Sequence, residues 1–346
     1  MTNGHVSRTT AVAQTFWQRA VRARFRLLVC AIGLQCLVPV HAWSAALSPA
    51  IFGPGVISGP NHEAAPAFTP DGKTLYFQRS SIRGGTILVS HLARARWSKP
   101  QIAEFSGTWS DIEPAMAPDG SFLVFISNRP SAPGGQPLQG FYNGSSQDGG
   151  NMWRVERRGA GWSEPVRLPE TVNRSTTIFA PAVVADGSVY FMDTYGEKPR
   201  FRLYRSQFRA GTYEPAQPLE FSDGTTTDVD PTVAPDESFM IFGSGRPPAK
   251  SMDLFLVRRQ GSGWGTPSHL GEELNTAGSD AEPRLSPDLK TLYFSSERTV
   301  PISYPRSRDQ AREDLERIQL WDNGQYNIWS VPVAAVRGVF TSPSRW

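Results

Sequence analysis

Apolar positions along this chain fall in short alternating runs bounded by turns, with little helical periodicity. Leu75-Tyr76-Phe77, Phe122-Leu123-Val124-Phe125, Phe239-Met240-Ile241-Phe242 and Leu292-Tyr293-Phe294 each follow a Pro-Asp turn, which continues to Gly at Gly72 and Gly120. Pro and Asp preset such a reversal and Gly supplies positive φ, so each turn joins two strands. Runs of β-branched and aromatic residues between turn residues read as buried strands. Ahead of each turn stands a short apolar run entered through an acidic residue and a proline. Behind each alternating run comes a third strand, at Thr86–Val89, Met152–Val155, Arg202–Tyr204, Asp253–Val257 and Asn327–Val331. A polar hairpin then leads to a fourth strand opening on an aromatic residue with proline close behind, at Trp97, Trp162, Tyr213 and Trp264.

This unit recurs around Pro66, Pro114, Pro181, Pro231 and Pro283, at steps of 48, 67, 50 and 52 residues. A unit of four antiparallel strands cannot bury both faces alone, and such units in series describe the blades of a β-propeller. The expected fold is all-β and five-bladed, with six blades as the competing count. The fifth unit lacks an aromatic-Pro strand, whereas Ile51–Ile57 stands unpaired before the first unit. The N-terminal stretch is therefore expected to supply the outer strand of the last blade and close the ring. Two segments exceed the regular step. Residues 131–150 form a Gly/Pro/Ser-rich loop, and residues 299–324 contain a charged stretch with Leu315, Ile318 and Trp321 at helical spacing, which predicts a short surface helix.

Residues 1–42 hold five arginines, no acidic residue and the apolar run Leu27–Val40, followed by small residues that allow cleavage near Ala42 or Ala46. This reads as a secretory signal, with an uncleaved anchor as the competing reading. Residues 43–346 are then a single propeller domain without a transmembrane anchor, placed in the periplasm or secreted. The full chain carries a formal charge of +3, but the five arginines belong to the leader, leaving 30 basic against 32 acidic residues. A nucleic-acid partner is excluded on that balance. Cys30 and Cys36 also lie in the leader, so the domain has neither disulfide nor thiol chemistry.

The acidic entry, proline and Pro-Asp-Gly, repeated in register from about Glu63 to Val331, resemble the TolB-like, WD-like propeller repeats. That resemblance implies a periplasmic or exported protein, commonly a binding scaffold. Blade 3 departs from the pattern, with Ile178-Phe179-Ala180 in place of the acidic entry and Ala185 in place of the turn proline.

Strand order places the acidic entries, the arginines ending the second strands and both insertions at one end of the blades. The acids are Glu63, Asp111 with Glu113, Asp228 with Asp230, and Asp280 with Glu282; the arginines are Arg79, Arg129, Arg246 and Arg298. Spacing of two along a strand puts both members of a pair on one side. These residues either tie blades together through charge-assisted hydrogen bonds or ring the channel mouth as a binding surface for a cation, a cationic peptide or a sugar. Calcium is the metal such a ring could take; no other cofactor is indicated. Phe141, Tyr142, Tyr195 and Tyr304 stand in or near loops of that face and are candidate ligand contacts. Trp97, Trp162 and Trp264 recur at one blade position and read as packing residues.

No catalytic residue can be named, since nucleophile-elbow, P-loop and dinucleotide motifs are missing from strand–helix contexts and His62, His91 and His269 are scattered. The expected function is an exported binding or scaffolding module of the cell envelope, with a protein or glycan as partner. The alternative is a glycan-active hydrolase or lyase with carboxylates at the channel. Nothing in the sequence sets the oligomeric state.

Overall fold

In the computed structural model, which describes residues 48–195 and 200–336, every alternating run lies second in an antiparallel sheet. Blade 1 runs from His62–Phe68 through Thr74–Ser81 and Gly84–Ala93 to Arg96–Trp97 and Gln101–Ile102. Blade 2 comprises Asp111–Met116, Phe122–Ser127, Asn151–Arg158 and the short Gly161–Trp162 and Val166–Arg167. Blade 3 comprises Phe179–Val183, Val189–Tyr195, Arg200–Ser206 and Gln217–Pro218. Blade 4 comprises Asp228–Val233, Phe239–Ser244, Asp253–Gln260 and the short Gly263–Trp264 and Ser268–His269. Blade 5 contributes Asp280–Leu285, Thr291–Ser296 and Asn327–Pro332, and its fourth strand is Ala50–Ile51 from the other end of the chain. The fold is a five-bladed β-propeller, and the count of six is set aside.

The clasp is shorter than Ile51–Ile57. Ala50 and Ile51 pair with Ser330 and Trp329, and the Phe52 amide adds one bond to the Ile328 carbonyl at 2.8 Å. The chain then turns at Gly53 (φ +57°), where a Cβ would stand 2.7 Å from the Ile57 side chain. That turn drops fully buried Ile57 into the core shared by blades 5 and 1, beside Phe68, Phe77 and Ile328. Phe52 meets Tyr293 at 4.9 Å and Trp97 at 6.0 Å, both edge-on.

Neighbouring blades are joined by the aromatic residues that open the fourth strands. Trp162 Nε1 donates to the Tyr76 hydroxyl of blade 1 at 2.9 Å, and Trp264 packs edge-on against Tyr190 of blade 3 at 6.3 Å. Their role is packing, as their fixed position suggests.

Each inner strand carries the same bulge, just where the alternation argument assumed a regular strand. The register slips across Ala64/Ala67, Ile112/Ala115, Phe179/Ala182, Val229/Thr232 and Ala281/Arg284. The residue before the proline takes positive φ in all five blades: Ala65 +49°, Glu113 +53°, Ala180 +51°, Asp230 +55° and Glu282 +49°. A bulge inserts one unpaired residue and re-aims its side chain.

Residues 131–150 are not wholly irregular, since Gln139–Tyr142 and Ser145–Asp148 form a hairpin. Residues 299–324 contain the helix Arg308–Leu320, capped by Ser307 and Gln310, each accepting the other's amide, at 3.1 and 2.8 Å. Of the apolar trio only Trp321 packs inward, edge-on to Trp329 at 5.8 Å; Leu315 and Ile318 remain exposed. Among the described residues no helix is long and apolar enough to cross a membrane. The leader and its cleavage sites near Ala42 and Ala46 lie outside the described residues.

Candidate functional site

The two carboxylates of each pair do not share one side. The first acid of the entry pairs with the arginine ending the second strand of its own blade: Glu63 with Arg79 at 2.6 Å, Asp111 with Arg129 at 3.3 Å, Asp228 with Arg246 at 2.7 Å and Asp280 with Arg298 at 2.8 Å. Each arginine also donates Nη2 to a carbonyl of the incoming link, at Ile57, Phe105, Phe221 and Leu274. These pairs therefore fasten the link from one blade to the body of the next. Burial raises the Glu63 and Asp111 carboxyls even against their arginines. Blade 3 fills the same place with the charges exchanged. Asp193, buried on its second strand, accepts from Ser175 and Thr177 and pairs with Arg174 of the incoming link at 3.1 Å. Loss of the acid at Ile178 thus leaves the link fastened.

The second acids, re-aimed by the bulge, collect around the axis. Glu113 accepts the Ala180 amide of blade 3 at 2.6 Å, Asp230 accepts the Glu282 amide of blade 5 at 3.3 Å, and Glu282 accepts from Ser295 at 2.8 Å. The Glu113 amide itself donates to Gln78 of blade 1 at 2.9 Å. The amide freed at one bulge is thus taken up by a side chain of the preceding blade at three of the five junctions. Burial first, then repulsion from neighbouring acids, pushes Glu113 to about 8 and Asp230 to about 7; burial alone raises Glu282, and Arg284 opposes all three shifts.

Acids whose folded pKa is raised hold more protons in the folded than in the unfolded state between the two values. Stability is then greatest below about pH 4 to 5, as far as this pair is concerned, and is lost as pH rises through 7 to 8. Glu113→Gln is expected to remove up to about 1.4 kcal/mol per pH unit from that decline. Thermal midpoints taken from pH 5 to 9 should cross, with the variant more stable above pH 8. Parallel profiles would show that Glu113 is ionised in the fold.

The remaining predicted residues divide. Phe141 and Tyr304 are exposed, at 57% and 75%. Tyr142 instead turns inward between Phe179 and Phe201, at 5.4 and 5.6 Å, and its hydroxyl donates to the Asp148 carbonyl. Of Tyr195 only the backbone, ending the strand Val189–Tyr195, is among the described residues. Among those residues no group of three or more His, Cys, Asp or Glu is arranged to hold a metal ion. Histidines 91 and 269 bond locally, to Thr74 and Asp253.

A cavity of about 110 Å³ opens on the axis at the opposite end, among the Pro-Asp turns. Residues following the five inner prolines line it: Ala67, Ala115, Ala182, Thr232 and Arg284. Arg284 was legible in principle, as the one large charged side chain at a position that is small in the other four units. Asp193 was harder to find, because its counterpart charge had moved to another strand.

No family model matches the chain, and no curated protein matches it. Solved structures that resemble it include TolB of Acinetobacter baumannii (14% identity, TM-score 0.44), covering 79% of this chain and 54% of that one. A TolB-type protein of Agrobacterium tumefaciens (16%, 0.46) covers 79% and 91%, and the hydrazine synthase of Kuenenia stuttgartiensis (12%, 0.48) covers 78% and 40%. This chain thus spans about half the length of the Acinetobacter protein. Likeness at this level carries neither family nor activity.

Proposed function

We propose that the chain is an exported β-propeller of the cell envelope that binds a protein partner through the face bearing the acidic entries and the two insertions. The observation that carries this reading is where large apolar side chains meet water. Ile82 in blade 1, Phe141 in blade 2, and Val300, Ile302, Tyr304, Leu315, Ile318 and Leu320 in blade 5 are exposed. All stand on connections between second and third strands, on three blades consecutive around the ring. Only Ile102 and Val166, on outer strands, are comparably exposed among the described residues. Concentrated apolar exposure marks interaction surfaces, whereas scattered exposure does not. The repeat motif's resemblance to TolB-like scaffolds accords with this, as do the leader and the net charge.

A photoactivatable residue at Phe141 or Tyr304 should capture an adduct of one defined mass in whole cells, and one at Ile102 should not. Phe141→Ser and Tyr304→Ser should each weaken that complex by about tenfold or more, as expected of aromatic anchors. Capture at Ile102 alone, or at neither face, overturns the reading.

One observation favours a hydrolytic alternative: Glu113 is pushed up to about 8, with Arg284 acting on it through space but no arginine bonded to it, as a general acid requires. Its side chain is 6% exposed and bonded to the Ala180 amide, which leaves a glycan chain no approach without rearrangement.

A further inference from the structure

The axial cavity carries a second reading, independent of the docking face and at the opposite end of the ring. Four of the residues following the inner prolines are small, and together they leave an open funnel. The fifth, Arg284, is 6% exposed, yet its guanidinium is only partly used. Nη1 donates to the Pro283 carbonyl at 2.9 Å, whereas Nε and Nη2 have no hydrogen-bond partner. A buried donor left unpaired is costly, and more so when charged, so such a group calls for an explanation. Nε and Nη2 form one edge of the planar fork, the edge that receives both oxygens of a carboxylate.

The neighbouring acids do not occupy that edge. Glu113 is taken by the Ala180 amide, Asp230 by the Glu282 amide and Glu282 by Ser295. They act on Arg284 through space only. The funnel's walls also include Pro66, Ala117, Val233 and Leu285. At about 10–15 Å³ for each water-sized group, 110 Å³ admits on the order of seven to eleven non-hydrogen atoms.

We infer that this funnel binds a small organic acid with a branched or compact apolar body, its carboxylate gripped by the Nε–Nη2 edge of Arg284. Binding is coupled to the acids behind it. The ionisable groups facing Arg284 are Glu113 from blade 2, Asp230 from blade 4 and Glu282 from its own blade; blades 1 and 3 present Ala65 and Ala180 at the corresponding place. Tyr142 and Tyr326 lie beyond the acids and remain neutral, since burial raises both phenols. When the acids are ionised they compensate Arg284 and repel an incoming anion. Their protonation as pH falls through 8 to 6 frees the guanidinium charge for the ligand.

The test uses isovalerate and isopentylamine, which share a carbon skeleton and differ in charge. Calorimetric titration and the thermal midpoint of the full domain should report isovalerate binding in the millimolar range or tighter. Isopentylamine should not bind. Isovalerate affinity should rise about tenfold from pH 8.5 to pH 6. Arg284→Met should abolish binding, and Ala182→Leu, which fills the funnel without touching the guanidinium, should do the same. If Arg284→Met does not fold, Ala182→Leu and the pH dependence decide. Equal binding of the two probes, tighter binding of the amine, no binding of either, or isovalerate binding that survives a folded variant overturns the inference.

Discussion

Asp280→Ala is expected to lower the stability of the domain by about 3–5 kcal/mol, the usual cost of removing one partner from a buried ion pair. Asp280 is completely buried and accepts from Thr276 twice, at 2.6 and 2.8 Å, and from Arg298 at 2.8 Å. Alanine leaves the Thr276 amide without its acceptor and a largely buried guanidinium without its counter-charge, and it loosens the link entering blade 5. Urea unfolding should show the loss as a lower midpoint with unchanged slope. Glu170→Ala, in which an exposed acid 2.7 Å from Arg167 is removed, should stay within about 0.5 kcal/mol. Replacing Arg298 by Met in the Asp280→Ala background should recover part of the loss, because the unpaired charge is then gone. A loss below about 1 kcal/mol in the single variant would mean that the pair is solvated and contributes no more than a surface contact.

The second large effect concerns closure. Removal of residues up to 58 takes away the strand Ala50–Ile51, the Phe52 ring and the buried Ile57 together. It exposes the full third strand of blade 5 as an open sheet edge, and such edges pair with other chains. The truncated domain should lose its single cooperative unfolding transition and run as oligomers in size-exclusion chromatography. A peptide spanning residues 48–58, supplied in excess, should restore a monomeric, cooperative species. Ile57→Ala, a milder form of the same lesion, should cost about 2–5 kcal/mol through the cavity it leaves between blades 5 and 1. A truncated chain that unfolds in one transition at the same midpoint would show the clasp to be dispensable.

These two predictions rest on features that differ in how far sequence reveals them. The ring and its closure were legible because Pro-Asp turns and aromatic-Pro strands repeat, so that a missing fourth strand at one end and a surplus one at the other could be matched. The acid–arginine pairs were legible too, as recurring residues 16 apart in blade 1 and 18 apart in blades 2, 4 and 5. What the spacing could not convey was the bulge. Positive φ is uncommon at Glu or Asp and is usually inferred from Gly or Asn. Glu113, Asp230 and Glu282 therefore looked like regular strand residues, and spacing by two placed them beside Asp111, Asp228 and Asp280 when they actually face the axis. The turns show the same concealment. Glu237 and Leu289 take φ of +58° and +56° where Gly72, Gly120 and Gly187 stand in other blades. Where the tertiary frame imposes the backbone conformation, residue type gives little notice of it.

The clasp also bears on the order in which the molecule can be completed. Ser330 Oγ reaches the Ala50 carbonyl across 280 residues of chain, so the first strand made is the last to find its partner. Until the fifth blade has been synthesised, the earlier blades form an arc with two free ends, and contacts of such high sequence separation are slow to form. The ring thereby works as a test of chain completeness. A product cut short anywhere before Asn327 cannot shut, and its unpaired edges leave it open to chaperones and proteases.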